Sequence, residues 1–192
     1  MLTQKQLEEI KIKFKEKIIS LERDSYRSFT EKIEIDPSLG SGKSFFPITL
    51  YCMCQLDYFS GIYFGYLKKG NDKVRIDQTT RMVEFACKYL KYDSHVSRIA
   101  IDIFRHKLVH LGEPHTSGKG ISRWEIANDC AIGDHWTIQS YNLRGNKKVI
   151  FGVNDFIRNL KNAIFGGDGY YKDFLSNNIL QQNYLNFLKE VS

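Results

Sequence analysis

The sequence predicts a mainly α-helical protein, with a bundle of about four helices followed by a small antiparallel β-sheet and two C-terminal helices. Two observations lead to this fold class. Apolar residues recur at steps of three and four through most of residues 1–114. Three short stretches of β-type composition, separated by turn residues, then follow before helical spacing returns. We therefore divide the 192 residues into a helical bundle at 1–114 and an extension at 115–192 that packs on the bundle.

Four helices make up the predicted bundle, and they cover residues 3–34, 46–69, 79–90 and 94–111. The first has an apolar stripe on one face and Lys and Glu on the other. The second is apolar almost all round, so it should be the central, buried helix. Asp93 or Ser94 is expected to cap the fourth, which Gly112 and Pro114 then end.

The extension is predicted to form three short strands and two helices. The candidate strands are residues 124–127, 136–143 and 149–153. Turn sequences, Gly133-Asp134 and Arg144-Gly145-Asn146, separate consecutive strands, which favours antiparallel pairing. Helical spacing returns at residues 155–165 and 171–191.

The whole-chain composition is typical of a folded cytoplasmic protein. Hydrophobic residues make up 42% and charged residues 26% of the chain, which excludes intrinsic disorder. The chain holds 28 Lys and Arg against 22 Asp and Glu, and this net charge of +6 permits a nucleic-acid partner without requiring one. We find neither an uncharged apolar stretch of about 18 residues nor a secretory signal, so we expect a cytoplasmic protein with no membrane contact.

The four cysteines match no zinc-binding spacing. Cys52 and Cys54 have one residue between them, whereas zinc sites use two to four. Apolar neighbours surround Cys52, Cys54 and Cys87, so we expect buried free thiols in a reducing cytoplasm. The sequence therefore predicts neither a metal nor another cofactor.

The segment IDIFRHKLVH, residues 101–110, concentrates polar chemistry at the end of a predicted helix. Arg105 and His110 have four residues between them, and His106 follows the arginine directly. A guanidinium group stays charged and holds phosphate through two parallel N–H bonds, while an imidazole transfers protons near neutral pH. These groups suit the cleavage of RNA through its own 2′-hydroxyl, a nucleophile that DNA lacks and that needs no metal.

The motif RHKLVH at residues 105–110 resembles the signature of the HEPN superfamily (higher eukaryotes and prokaryotes nucleotide-binding domains). The resemblance covers roughly residues 5–114. It implies a bundle of about four helices, usually dimeric, and in many members a metal-independent endoribonuclease of a toxin, defence or RNA-processing system. It also implies that Arg105, His106 and His110 are catalytic, with RNA and a second copy of the chain as partners. The alternatives are a non-catalytic HEPN-like dimerisation module and a helical protein that binds a nucleotide or another small molecule.

The spacing of the motif raises a geometric question. Residues five apart on a straight α-helix point about 140° apart, so Arg105 and His110 would not share a face. Either the helix end distorts after Val109, or two chains build one site across a two-fold axis, which the resemblance favours.

The histidines have two further interpretations. His106 and His110 stand at a zinc-ligand spacing that His115 would complete, or the three form a partly exposed cluster favoured by the helix dipole.

Asp57 is the other candidate, because it is a lone carboxylate on the apolar second helix. Burying an unpaired carboxylate is costly. One interpretation is that Asp57 supports the site indirectly, by pairing with Arg105 or by orienting a histidine. The alternative is a structural role, in which it faces a solvated groove or pairs with Arg81 or Arg98.

Positive charge is concentrated around the motif. Residues 74–120 hold 8 basic and 5 acidic residues, an excess of +3. We expect Arg98, Lys107 and Lys119 to bind substrate along the path by which phosphates approach the site.

Overall fold

A computed structural model describes residues 2–30, 45–65, 76–107, 121–131, 133–140 and 145–191. The described helices, in chain order, are α1 (Gln4–Thr30), α2 (Phe45–Phe64), α3 (Gln78–Phe85), α4 (Ser94–Ile101), α5 (Val153–Phe165), α6 (Tyr170–Ser176) and α7 (Asn178–Val191). Two of them, α3 and α4, continue into π-helical turns at Ala86–Leu90 and Asp102–Lys107. The mainly helical prediction is thus confirmed. No helix among these residues is long and apolar enough to cross a membrane.

The central position of α2 is confirmed. It packs against α1, α3, α5 and α7. Its fully buried side chains include Cys52, Met53, Leu56, Phe59 and Ile62. The apolar stripe of α1 meets this helix, and Phe14 approaches Phe59 edge-on with ring centroids 5.4 Å apart. Burial of these two faces against each other removes apolar surface from water and fixes the middle of the bundle.

Carboxylates cap both α3 and α4. The Asp93 side chain accepts a hydrogen bond from the backbone N–H of Val96 at 2.9 Å, as predicted for the start of α4. Asp77 caps α3 in the same way, through the backbone N–H of Thr80. The predicted end of the fourth helix, at Gly112 and Pro114, lies outside the described residues.

The small sheet has three strands, β1 (Ile121–Ala127), β2 (Thr137–Ser140) and β3 (Lys147–Gly152), in the order β1-β3-β2. Strand β3 pairs antiparallel with β2 but parallel with β1, so the prediction of a purely antiparallel sheet is wrong. The reason is the burial of β3, where Val149 and Phe151 are fully buried. The strand with the longest buried run takes the centre, which separates the consecutive strands β1 and β2.

The last predicted helix, residues 171–191, is wrong as one element, because Asn177 divides it into α6 and α7. Asn177 has extended backbone angles, and its Oδ1 accepts from the backbone N–H groups of Ile179 and Leu180, which starts a new helix. The buried apolar side chains form one core cluster, whose members range in sequence from Leu7 to Phe187. The predicted boundary at residue 114 lies outside the described residues and stays a prediction.

Candidate functional site

Arg105 and His106 lie in the π-helical turn that follows α4. Ile103 and Phe104 precede them and are buried, which anchors the turn in the core, while Arg105 and His106 are half-buried. A π-helical turn is uncommon and frequently occurs at functional sites. The described residues exclude His110, His115 and Lys119, and also the side chain of Lys107.

The Nε atom of Arg105 is buried and has no hydrogen-bond partner among the described residues. The Arg105 charge is close enough to act on Cys54 of α2. Burial raises the pKa of the Cys54 thiol, and the Arg105 charge opposes that rise. Buried polar groups are nearly always hydrogen-bonded, so an unpartnered guanidinium N–H is an exception that requires an explanation.

Of the three cysteines expected to be buried, only Cys52 is fully so. Cys52 is buried as expected, and Cys87 is half-buried, but Cys54 is exposed. The two residues of α2 stand about 200° apart around the helix, so they cannot both face the core.

His106 is held by a hydroxyl group from the start of α3. Its Nε2 lies 2.8 Å from Oγ1 of Thr79. This contact joins the end of α4 to the beginning of α3 and restricts the orientation of the imidazole ring. His106 follows Arg105 directly in the sequence, and the fold places its ring against Thr79.

Asp57 pairs with Arg81, one of the partners considered from the sequence. Arg81 Nη2 donates to Asp57 Oδ1 at 2.7 Å, and Gln78 Nε2 donates to the other carboxylate oxygen. Arg81 is 8% exposed, so the pair is largely desolvated. Through these bonds Asp57 fixes the first turn of α3, which also carries the threonine that holds His106.

Arg98, a predicted substrate-binding residue, is exposed and borders a groove between α3 and α4. The groove has a volume of about 550 Å³, and its lining includes Tyr63, Lys88 and Ser94. The Lys88 ammonium lies 4.9 Å from the centroid of the Tyr63 ring. An aromatic ring, two cations and the Glu84 carboxylate therefore border one open groove, and Lys88 also pairs with Asp173.

A second polar cluster, formed by Cys130, His135 and Asp155, has no counterpart in the sequence predictions. One ligand-type atom of each residue lies within 4.8 Å of the others. The only signal in the sequence is the five-residue step from Cys130 to His135, and Asp155 is distant along the chain. Such spacing matches no standard zinc motif, so only the fold reveals the cluster.

The two clusters lie on different elements, the first where α2, α3 and α4 meet and the second between the sheet and α5. Comparison of the chain with protein-family models, curated proteins and solved structures finds no match. Function is therefore inferred from the chemistry of these side chains.

Proposed function

We propose that this protein is a HEPN-like RNA-binding protein that cleaves RNA without a metal, using the residues at the end of α4. The observation that carries the proposal is the buried Arg105 Nε, which lacks a hydrogen-bond partner among the described residues. A buried donor left unpaired costs about 1–3 kcal/mol. A phosphate oxygen would satisfy that donor, and guanidinium groups bind phosphate with high geometric specificity.

The roles of the motif residues follow from their chemistry. Arg105 holds the scissile phosphate and stabilises the negative charge that develops in the transition state. His110 moves protons between the 2′-hydroxyl and the leaving oxygen. His106, oriented by Thr79, supports the site beside the arginine. Asp57 is a positioning residue that acts through Arg81 and the start of α3.

The described π-helical turn ends at Lys107, so the placement of His110 relative to Arg105 lies outside the described residues. The two arrangements expected from the sequence, a distorted helix end and a site shared across a two-fold axis, are therefore separated by experiment.

The homodimer rests on the resemblance alone and is tested separately. Sedimentation equilibrium at micromolar concentration should give twice the 22.4 kDa chain mass. A monomer that cleaves RNA would exclude the shared site and keep the endoribonuclease.

The decisive experiment incubates purified protein with structured RNA and excess chelator. Wild type should cleave, whereas Arg105→Ala and His110→Ala should each lose about 10²-fold or more in rate. Arg23→Ala is the matched control, because it removes an exposed arginine of α1 and should cleave like wild type. A 2′-deoxy substitution at the cleaved position should block the reaction. Equal cleavage by all four proteins would indicate contamination and would end the proposal.

Binding without cleavage would instead favour a non-catalytic HEPN-like module.

The groove beside Arg98 supports a second candidate, the binding of a nucleotide, because Tyr63 offers a ring and Lys88 and Arg98 offer cations. Calorimetry with nucleoside monophosphates should then show binding that Arg98→Ala weakens, and RNA cleavage should be absent.

A further inference from the structure

The second polar cluster contains three residues that are common ligands of transition metals. Cys130 follows β1, His135 precedes β2, and Asp155 lies in the first turn of α5. Their sulfur, nitrogen and oxygen atoms lie within 4.8 Å of one another, although Asp155 is 25 residues from Cys130. A thiolate, an imidazole and a carboxylate form the kind of mixed set that zinc accepts.

The three side chains converge on Gly152 at the end of β3. A Cβ atom at this position would stand 2.7 Å from Cys130 Sγ and closer still to Asp155 Oδ2. The backbone N–H of Gly152 donates to His135 Nδ1 at 2.9 Å. The glycine has φ −92°, an angle open to any residue, so space rather than backbone conformation demands it. Cys130 Sγ and Asp155 Oδ2 therefore border the volume that a side chain here would fill, and His135 Nδ1 is bonded to the backbone of the same residue.

His135 is held in the tautomer that suits a metal on Nδ1. Because Nδ1 accepts the Gly152 N–H, the proton of the neutral ring stands on Nε2. That N–H faces the Tyr92 hydroxyl at 2.8 Å, and the same hydroxyl accepts from Asn159 Nδ2 at 3.0 Å. Metal-binding histidines almost always donate their second N–H to an oriented partner of this kind. Burial also lowers the pKa of His135 to about 4, which keeps the ring neutral.

The electrostatic surroundings favour a cation. Burial raises the pKa of the Cys130 thiol to about 12, and the negative charges of Asp155, Asp134 and Glu125 add to the rise. A divalent ion would offset that negative potential and deprotonate the thiol. With one thiolate, one carboxylate and one neutral imidazole, the zinc complex carries no net charge. Arg158 pairs with Asp155 Oδ1, and its positive charge also contributes to the lowered pKa of His135. The other oxygen, Oδ2, accepts from the Cys130 backbone N–H and is the one that a metal would bind.

We propose that Cys130, His135 and Asp155 form a zinc site, with His135 Nδ1 as its nitrogen ligand. The three protein donors leave one position of a tetrahedral ion for water or another ligand. Binding requires the Gly152 N–H to leave His135 Nδ1. The site is independent of the proposed cleavage of RNA at Arg105.

The first test uses the wild-type chain, stripped with a chelator and kept reduced. Titration calorimetry with zinc should show one ion bound per chain. Cobalt should give the intense thiolate-to-cobalt charge-transfer band in the near ultraviolet. NMR of the ring nitrogens should show zinc moving the Nδ1 resonance of His135 while Nε2 keeps its proton. Absence of binding at micromolar zinc, or an unmoved His135 resonance, would overturn the proposal without any variant.

Variants identify the ligands. Cys130→Ser should abolish the charge-transfer band, and His135→Gln and Asp155→Asn should each weaken zinc binding at least 10-fold. Tyr92→Phe, which removes the hydroxyl that accepts from the second N–H and from Asn159, should weaken it by 10–100-fold. Cys54→Ser removes an exposed thiol and should bind like wild type. Far-ultraviolet circular dichroism verifies that each variant folds.

The outcomes also separate this site from the histidines near Arg105. Zinc binding that survives Cys130→Ser and is lost in His110→Ala would place the ion at the motif and refute the proposal. Zinc binding that His110→Ala leaves unchanged supports it, whether or not RNA is cleaved.

Discussion

Acidification should destabilise the metal-free protein through His135. Burial in the folded chain lowers the pKa of this imidazole from 6.5 to about 4. The unfolded chain takes up a proton near pH 6.5, but the folded chain does so only near pH 4. Between those values the unfolded state binds more protons, so the free energy of unfolding falls as the pH falls.

The size of the effect follows from the two pKa values. At roughly 1.4 kcal/mol per pH unit, their separation limits the loss to about 3 kcal/mol. Integrating the proton uptake between pH 7 and pH 5 gives about 2 kcal/mol of that loss. For a domain of this size, such a loss lowers Tm by roughly 4–8 °C.

Urea unfolding in the presence of chelator, followed by circular dichroism at pH 7 and pH 5, measures this loss. His135→Gln keeps a polar side chain but cannot take up the proton, so its loss between the two pH values should be about 2 kcal/mol smaller than that of wild type. His95→Gln changes an exposed histidine and should behave like wild type. If His135→Gln shows the same pH dependence as wild type, the imidazole is not held neutral by burial and the reasoning fails.

Two further changes test the bundle and its C-terminal helices. Asp57→Asn leaves the buried Arg81 without its carboxylate and should cost about 3–5 kcal/mol in urea unfolding. The double variant with Arg81→Met should recover much of that loss, and a single-variant cost below about 1 kcal/mol would contradict the pair. Asn177→Ala removes the cap of α7 and should cost about 1 kcal/mol, whereas Asn177→Asp should keep most of the stability. Equal unfolding midpoints for these two variants would show that the side chain does not cap.

The helices of the bundle were predictable because their signals are local. The apolar stripe of α1, the apolar character of α2 and the cap at Asp93 each depend on residues within a few positions of one another. The division at Asn177 was not visible, because apolar residues on both sides of it continue into the same core. The sheet order was missed because the parallel pairing of β1 with β3 depends on contacts between residues far apart in sequence.

The candidate sites show the same distinction. Arg105 and His106 are neighbours in sequence, and the motif marks them directly. Asp57 was identified from its unusual place on an apolar helix, but its partner, Arg81, was one of several alternatives until the packing of α3 on α2 was seen. Cys130, His135 and Asp155 come together only through the fold. Periodicity within one element gives no information about such a set.

Helix α3 with its π-helical extension is in contact with both clusters at once. Thr79 in its first turn holds His106, and Tyr92, two residues beyond its last turn, holds His135. One continuous helical segment and the two residues after it therefore place a hydroxyl group at each cluster, with a widened turn at Ala86–Leu90 between the two hydroxyls. A substitution that displaces α3 would disturb both contacts, whereas a substitution confined to one hydroxyl should leave the other contact in place.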